Sequence, residues 1–251
     1  MKNRGEILKF IILRTVGNFL VLASLYGIIM TFGPAVYLEM LYRTNQMRNV
    51  RYELSFRQEK EEPVTTSEEI IPKPTVSAET TFFGQIAGGD KIEFIQPAAT
   101  DFSIVIPKIG ANAPVLANVN AADPDIYLPA LEKGVAHAFG TVFPGVPGNI
   151  FLFAHSTDNF WNVGRYNAIF YLLKELEQGD EINLIFQGKR HIYRVTDKVI
   201  ANPSEVEYLT RRLNYEQLTL QTCWPPGTTF QRLIILARPE KDLEIAGEEI
   251  I

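Results

Sequence analysis

Apolar residues are arranged in two contrasting ways along this chain. From Thr15 to Phe32 the run TVGNFLVLASLYGIIMTF carries no charged residue, and the apolar group FIIL precedes it across Arg14. At ~1.5 Å rise per residue, about 20 such residues cross the ~30 Å hydrocarbon layer, so the run predicts a transmembrane helix ending near Gly33-Pro34. A buried core helix or a cleaved signal peptide would share this apolarity. The stretch exceeds the usual ~7–15-residue signal core, however, and no A-x-A-like cleavage site precedes Gly33-Pro34. Lys2, Arg4, Lys9 and Arg14 lie upstream and place residues 1–14 in the cytoplasm, with everything after the 15–35 anchor outside. Arg43, Arg48 and Arg51 on the far side pull the other way.

Beyond about Phe82 the pattern changes to short β-branched or aromatic runs bounded by Gly, Pro, Asn or Asp. Phe102–Ile106, Ile150–Phe153, Ile182–Phe186, His191–Val195, Gln217–Thr222 and Leu233–Ala237 predict strands. Helical patterns are few: Asp125–Leu131, Ile169–Glu177, and Ser204–Leu209 with Ser204 as N-cap. There is no regular βαβ alternation and no fixed-period repeat. The expected fold of residues 82–240 is mainly β, a closed or nearly closed barrel of roughly eight short strands with helices on its connections. Residues 241–251 form an acidic tail.

The stretch 36–81 follows neither pattern. Val36–Phe56 continues the helix at the membrane surface, with Met40, Met47, Val50 and Leu54 loosely on one face. Glu59–Thr80 is rich in Glu, Pro, Ser and Thr; it buries too little to offset its ordering entropy and reads as a tether. Charge adds one exclusion: with a net charge of −5 and no long basic run, nucleic acid is not an expected partner. The single cysteine excludes an intrachain disulfide and a Cys-based zinc site.

That cysteine, Cys223, ends the strand TLQTC, and Trp224-Pro225-Pro226-Gly227 turns the chain directly after it. An isolated cysteine is often an inert buried hydrophobe, but an accessible thiol facing an oxidising exterior is an oxidation liability unless it is used. Of three histidines, His191 sits in the alternating strand KRHIYRV and reads as a half-exposed strand residue. His155 follows the strand NIFLFA at its C-terminal end, a position equivalent to that of Cys223. His137, in a Gly-flanked connection, either lines the same site or satisfies loop hydrogen bonds. Arg232 opens the strand RLIILA, which lies antiparallel to TLQTC across a Pro/Gly-rich hairpin, within reach of the thiol. A thiolate, a histidine able to protonate a leaving amine and a permanent cation suffice for acyl transfer.

TLQTC followed by PPGTTFQRLIILA closely resembles the TLxTC signature and trailing arginine strand of the sortases. GTVFPGVPGNIFLFAHS resembles the segment leading to their catalytic histidine, and DFSIVIPKIGANAPVL their opening strand pair. The resemblance spans about Asp101 to Ala237. It implies the eight-stranded sortase barrel, with Cys223 as nucleophile, His155 as general acid/base, Arg232 as stabiliser of substrate and oxyanion, and Thr222 helping to hold the substrate backbone. His137, Trp161 and Trp224 are further candidate substrate contacts. In the NFWNVGRYN insert, Asn159, Phe160 and Trp161 form a lid or binding wall, or pack the loop down. Three features depart from the family pattern: Ala154 where Gly is common, Ser156 where Arg is common, and a long stretch from Ser156 to Gly179.

The resemblance implies a membrane-anchored cysteine transpeptidase acting on an LPxTG-like sorting-signal peptide. Its acceptor would be an amine, such as a cell-wall precursor or a pilin lysine, or else water. A non-catalytic sortase-like binding module is the alternative. No cofactor is expected: some sortases use calcium, but no acidic cluster here is diagnostic.

Overall fold

The computed structural model describes residues 4–55, 91–156 and 169–243. Eight strands close into the expected barrel: β3 (Phe102–Ile106), β4 (Ala111–Val119), β5 (Val135–Ala138), β6 (Gly148–Phe153), β7 (Glu181–Phe186), β8 (Lys189–Ala201), β9 (Glu216–Trp224) and β10 (Gln231–Pro239). Around the barrel they run β10-β8-β7-β3-β4-β5-β6-β9. Neighbours are antiparallel except for β4–β5 and β6–β9. Closure removes the free edges that so many short, apolar strands would otherwise expose.

Alternation along the strands sorts side chains to two faces. Ile150, Leu152, Leu218, Leu220, Leu233 and Ile235 point into the lumen and join the main core. Phe151 and Phe153 point outward into a second apolar cluster with Ala136, Ala138 and Leu131. The helix Pro124–Leu131 on the β4–β5 crossover covers that cluster, and Asp123 caps it by accepting from the Asp125 amide at 3.0 Å. Both faces of β6 are therefore buried, which explains why its IFLF segment reads as an unbroken apolar run rather than an alternating one.

Several elements differ from the sequence expectation. Ile169–Glu177 forms only the 3₁₀ turn Tyr171–Glu175, because Leu173 and Leu176 bury with three-residue spacing and Leu176 is already extended. Ser204 is not a cap: the short helix is Glu207–Thr210, and the preceding turn is closed by Glu205 accepting from the Asn202 amide at 2.8 Å. The strand expected at His191–Val195 extends to the 13 residues of β8, which bends to pair with both β7 and β10.

The N-terminal helix α1 (Arg4–Met47) does not stop at Gly33-Pro34 but continues for 44 residues in all. Pro34 removes one backbone donor from the ladder, and the helix continues through it. Nor is Val36–Phe56 one continued helix. Asn49 adopts left-handed backbone (φ 49), and the next residues form β1 (Val50–Leu54), paired in parallel with β2 (Lys91–Ile95). The Glu59–Thr80 stretch lies outside the described residues. The chain enters it from β1 and leaves it into β2, two strands that lie side by side.

Candidate active site

Cys223 and Arg232 are direct partners in the β9–β10 ladder. Opposed residues of an antiparallel pair project to the same face with Cα atoms about 4.5–5.5 Å apart. Here that is the outer face, since their neighbours Thr222 and Leu233 turn inward with the core strands. The Cys223 thiol is half-buried and unbridged. The Arg232 guanidinium donates to the turn carbonyls of Thr229 (3.2 Å) and Gln231 (3.0 Å). Among the described residues no carboxylate forms an ion pair with it.

β6 runs parallel to β9, with Phe153 opposite Gln221. The coupling persists beyond the strand: the Ala154 amide donates to the Gln221 carbonyl at 3.2 Å, and the Thr222 hydroxyl donates to the Ala154 carbonyl at 2.9 Å. Two residues on from the Phe153–Gln221 pair lie His155 and Cys223, so the register brings the half-buried His155 level with the thiol. Thr222 is buried, and its hydroxyl is used on the backbone that carries His155. The hydroxyl thereby ties β9 to the backbone segment that leads to His155.

His137 is not at this site. Its ring is fully buried and stacked on Phe143 at 4.6 Å. Nδ1 accepts from the Asn118 amide (3.3 Å), which assigns the proton to Nε2, and Nε2 donates to the Val142 carbonyl (3.0 Å). Nε2 thus holds the connection after β5 and Nδ1 the end of β4, so the ring is spent on local structure. Trp224 is half-buried against the lumen core at the rim, next to the thiol but on the opposite face of β9. Trp161 lies outside the described residues.

Burial holds His137 below the ordinary imidazole range, against the pull of the Val142 carbonyl. His191, which is packed against Gly145, is likewise depressed by burial, with Glu216 opposing. Both groups therefore bind protons more readily in the unfolded chain. Their contribution is intact above the unfolded value near ~6.5 and is lost as pH falls through it toward the folded values. The melting temperature is expected to drop between pH 7 and pH 5, and His137→Gln to flatten that drop; an unchanged slope in the variant would exclude the ring as its source.

One group of residues escaped the sequence reading. Asn149 at the start of β6 donates to the Tyr208 carbonyl at 2.8 Å and accepts from Thr219 at 2.7 Å, with Gln217 bonded to Thr219 in turn. All three are buried on the outer face and pin the Glu207–Thr210 segment against the wall that carries the site. The alternating polar positions of EQLTLQT signal a polar face, but only the fold supplies its partner. Asn149→Ala removes the acceptor of the Thr219 hydroxyl proton and the donor to the Tyr208 carbonyl, a cost of about 1–3 kcal/mol. A lowered melting temperature and faster amide exchange across residues 204–212 are expected; wild-type exchange there would show the network to be idle.

Among the described residues no three His, Cys, Asp or Glu side chains gather to hold a metal ion. The family model of the Sortase domain matches residues 104–240, more than half of the chain. The chain belongs to the sortase family. It is 30% identical over 136 residues to Sortase D of Bacillus subtilis (strain 168), covering 53% of this chain and 60% of the relative. To Sortase A of Streptococcus agalactiae serotype III (strain NEM316) it is 28% identical over 151 residues, covering 56% and 60%. The chain thus spans under two thirds of the length of either curated relative. Among solved structures, a lid mutant of sortase A from Corynebacterium diphtheriae aligns with TM-score 0.46 and 26% identity, over 56% of this chain and 70% of that one. Sortases are cysteine transpeptidases, and the matched region of this sortase contains Cys223, His155 and Arg232.

Proposed function

We propose that this sortase is a membrane-anchored transpeptidase that cleaves a C-terminal, LPxTG-like sorting signal and transfers the released acyl group to an amine. The observation that carries the reading is the Cys223–Arg232 rung beside the end of β6, within the family match. The Cys223 thiolate attacks the scissile carbonyl. Arg232 stabilises the oxyanion of the tetrahedral intermediate, and His155 gives its proton to the departing amine. The thioester on Cys223 is then attacked by the acceptor amine, and His155 takes up the proton that amine loses. The acceptor is a cell-wall precursor or a pilin lysine, corresponding to surface anchoring or pilus assembly. No metal or cofactor enters this scheme.

The apolar span Gly5–Met30 supports a single-pass anchor, and the basic residues before it support a cytoplasmic N-terminus with the barrel outside. Mass spectrometry of the full chain with candidate sorting peptides, with and without added amines, tests the proposal. A thioacyl adduct that passes to the amine is expected. Hydrolysis alone would make the chain a peptidase, and absence of any adduct would leave a binding module.

A further inference from the structure

The anchor helix meets the barrel through a built contact. Tyr42 of α1 is buried in the main core, and Glu39, one turn earlier, pairs with Lys174 of the Tyr171–Glu175 turn at 2.9 Å and with Arg43 of its own helix at 2.8 Å. Lys174 and Arg43 hold the Glu39 carboxyl below its usual range. Asn45 donates to the Tyr52 hydroxyl at 2.9 Å, and the Tyr52 ring in β1 lies 3.5 Å from where a Cβ on Gly110 would stand, just past the Pro107–Ile109 turn.

Strand directions show which end of the barrel this is. β9 and β6 run together, and Cys223 and His155 lie at their C-terminal ends. Counting round through β5, β4 and β3, the end of β3 and the start of β7 lie at that same end. The Pro107–Ile109 turn follows β3 and the Tyr171–Glu175 turn precedes β7. The helix therefore docks on the catalytic rim, on the wall opposite β9. From Met30, the end of the apolar span, to Glu39 is nine residues, about 14 Å of helix.

We propose that α1 is a rigid mast rather than a leash, holding the rim that carries Cys223 close to the bilayer surface and facing substrates presented there. This rests on the membrane-anchored reading above. The sole cysteine offers a direct test. With one spin label on Cys223 and a second on Ile29→Cys, exposed in the span, the full chain in detergent is expected to show a single narrow distance. In nanodiscs, Förster transfer from a dye on Cys223 to acceptor-labelled lipid headgroups is expected to be strong and uniform.

Tyr42→Ala and Glu39→Lys should each replace the narrow distance by a broad distribution. Exchange of the pair, Glu39→Lys with Lys174→Glu, should narrow it again, while an unchanged barrel melting temperature in Glu39→Lys rules out unfolding. A broad wild-type distance, or variants without effect, overturns the dock. A narrow distance in a protein that does not enter nanodiscs overturns the membrane reading instead, and the height of the rim with it.

Discussion

Cys223→Ala should leave the barrel folded and abolish acyl transfer. The side chain is small and half-buried on the outer wall, so its loss opens no cavity in the lumen core formed by the inward neighbours Leu220 and Leu233. Removal of the nucleophile leaves no group able to carry the acyl fragment between donor and acceptor. Turnover of sorting peptides should fall to background, along with the mass shift of the thioacyl adduct. Because the chain has one cysteine, stoichiometric labelling by a thiol-directed electrophile should vanish in the same variant, giving a readout independent of substrate choice. Persistent turnover in Cys223→Ala would sink the nucleophile assignment.

Arg232→Lys keeps the charge and is nonetheless expected to lose about 10²–10³-fold in turnover, the scale of removing one oxyanion donor. The reason is geometric. One terminal nitrogen of the guanidinium is tied to the Thr229 and Gln231 carbonyls, which leaves the rest of the planar fork oriented on the Cys223 face. A lysine ammonium is a single point with rotating donors; if it satisfies the turn carbonyls it cannot also present a fixed donor to the intermediate. Labelling of Cys223 should continue in this variant, which separates damage to transition-state stabilisation from loss of the thiol. Near-normal kcat/KM would remove Arg232 from the mechanism.

The motif residues were legible because each belongs to a short-range pattern. The Pro/Gly hairpin after TLQTC sets the antiparallel return of RLIILA, and that return makes Cys223 and Arg232 partners. The end of the apolar run NIFLFA likewise sets where His155 emerges. Long-range partners were not legible. The sequence of β8 shows alternation over His191–Val195 but not the bend that lets one strand serve two neighbours. The Val50–Leu54 stretch became a strand because Lys91–Ile95 lies beside it, a partner 41 positions away by register and invisible to local periodicity.

His137 and Thr222 illustrate the same division. Their proximity to site motifs suggests substrate contact, yet the folded barrel gives each a backbone partner from another strand or its end: the Asn118 amide for His137 and the Ala154 carbonyl for Thr222. A buried hydrogen-bonding group must find partners inside the fold, and which ones it finds depends on packing rather than on sequence distance.

By itself, the sequence determined a long apolar N-terminal helix, a strand-rich domain and the Cys223, His155 and Arg232 set on which the proposed acyl transfer rests, because hydrophobic period, turn chemistry and side-chain type are local properties. Tertiary structure decided which face those residues share and which rim they occupy. It also decided that the anchor helix, through Tyr42 and Glu39, is built into that same rim. The physical reason is closure: strand direction and register in a barrel are fixed by the whole ring of pairings, so no single segment carries that information.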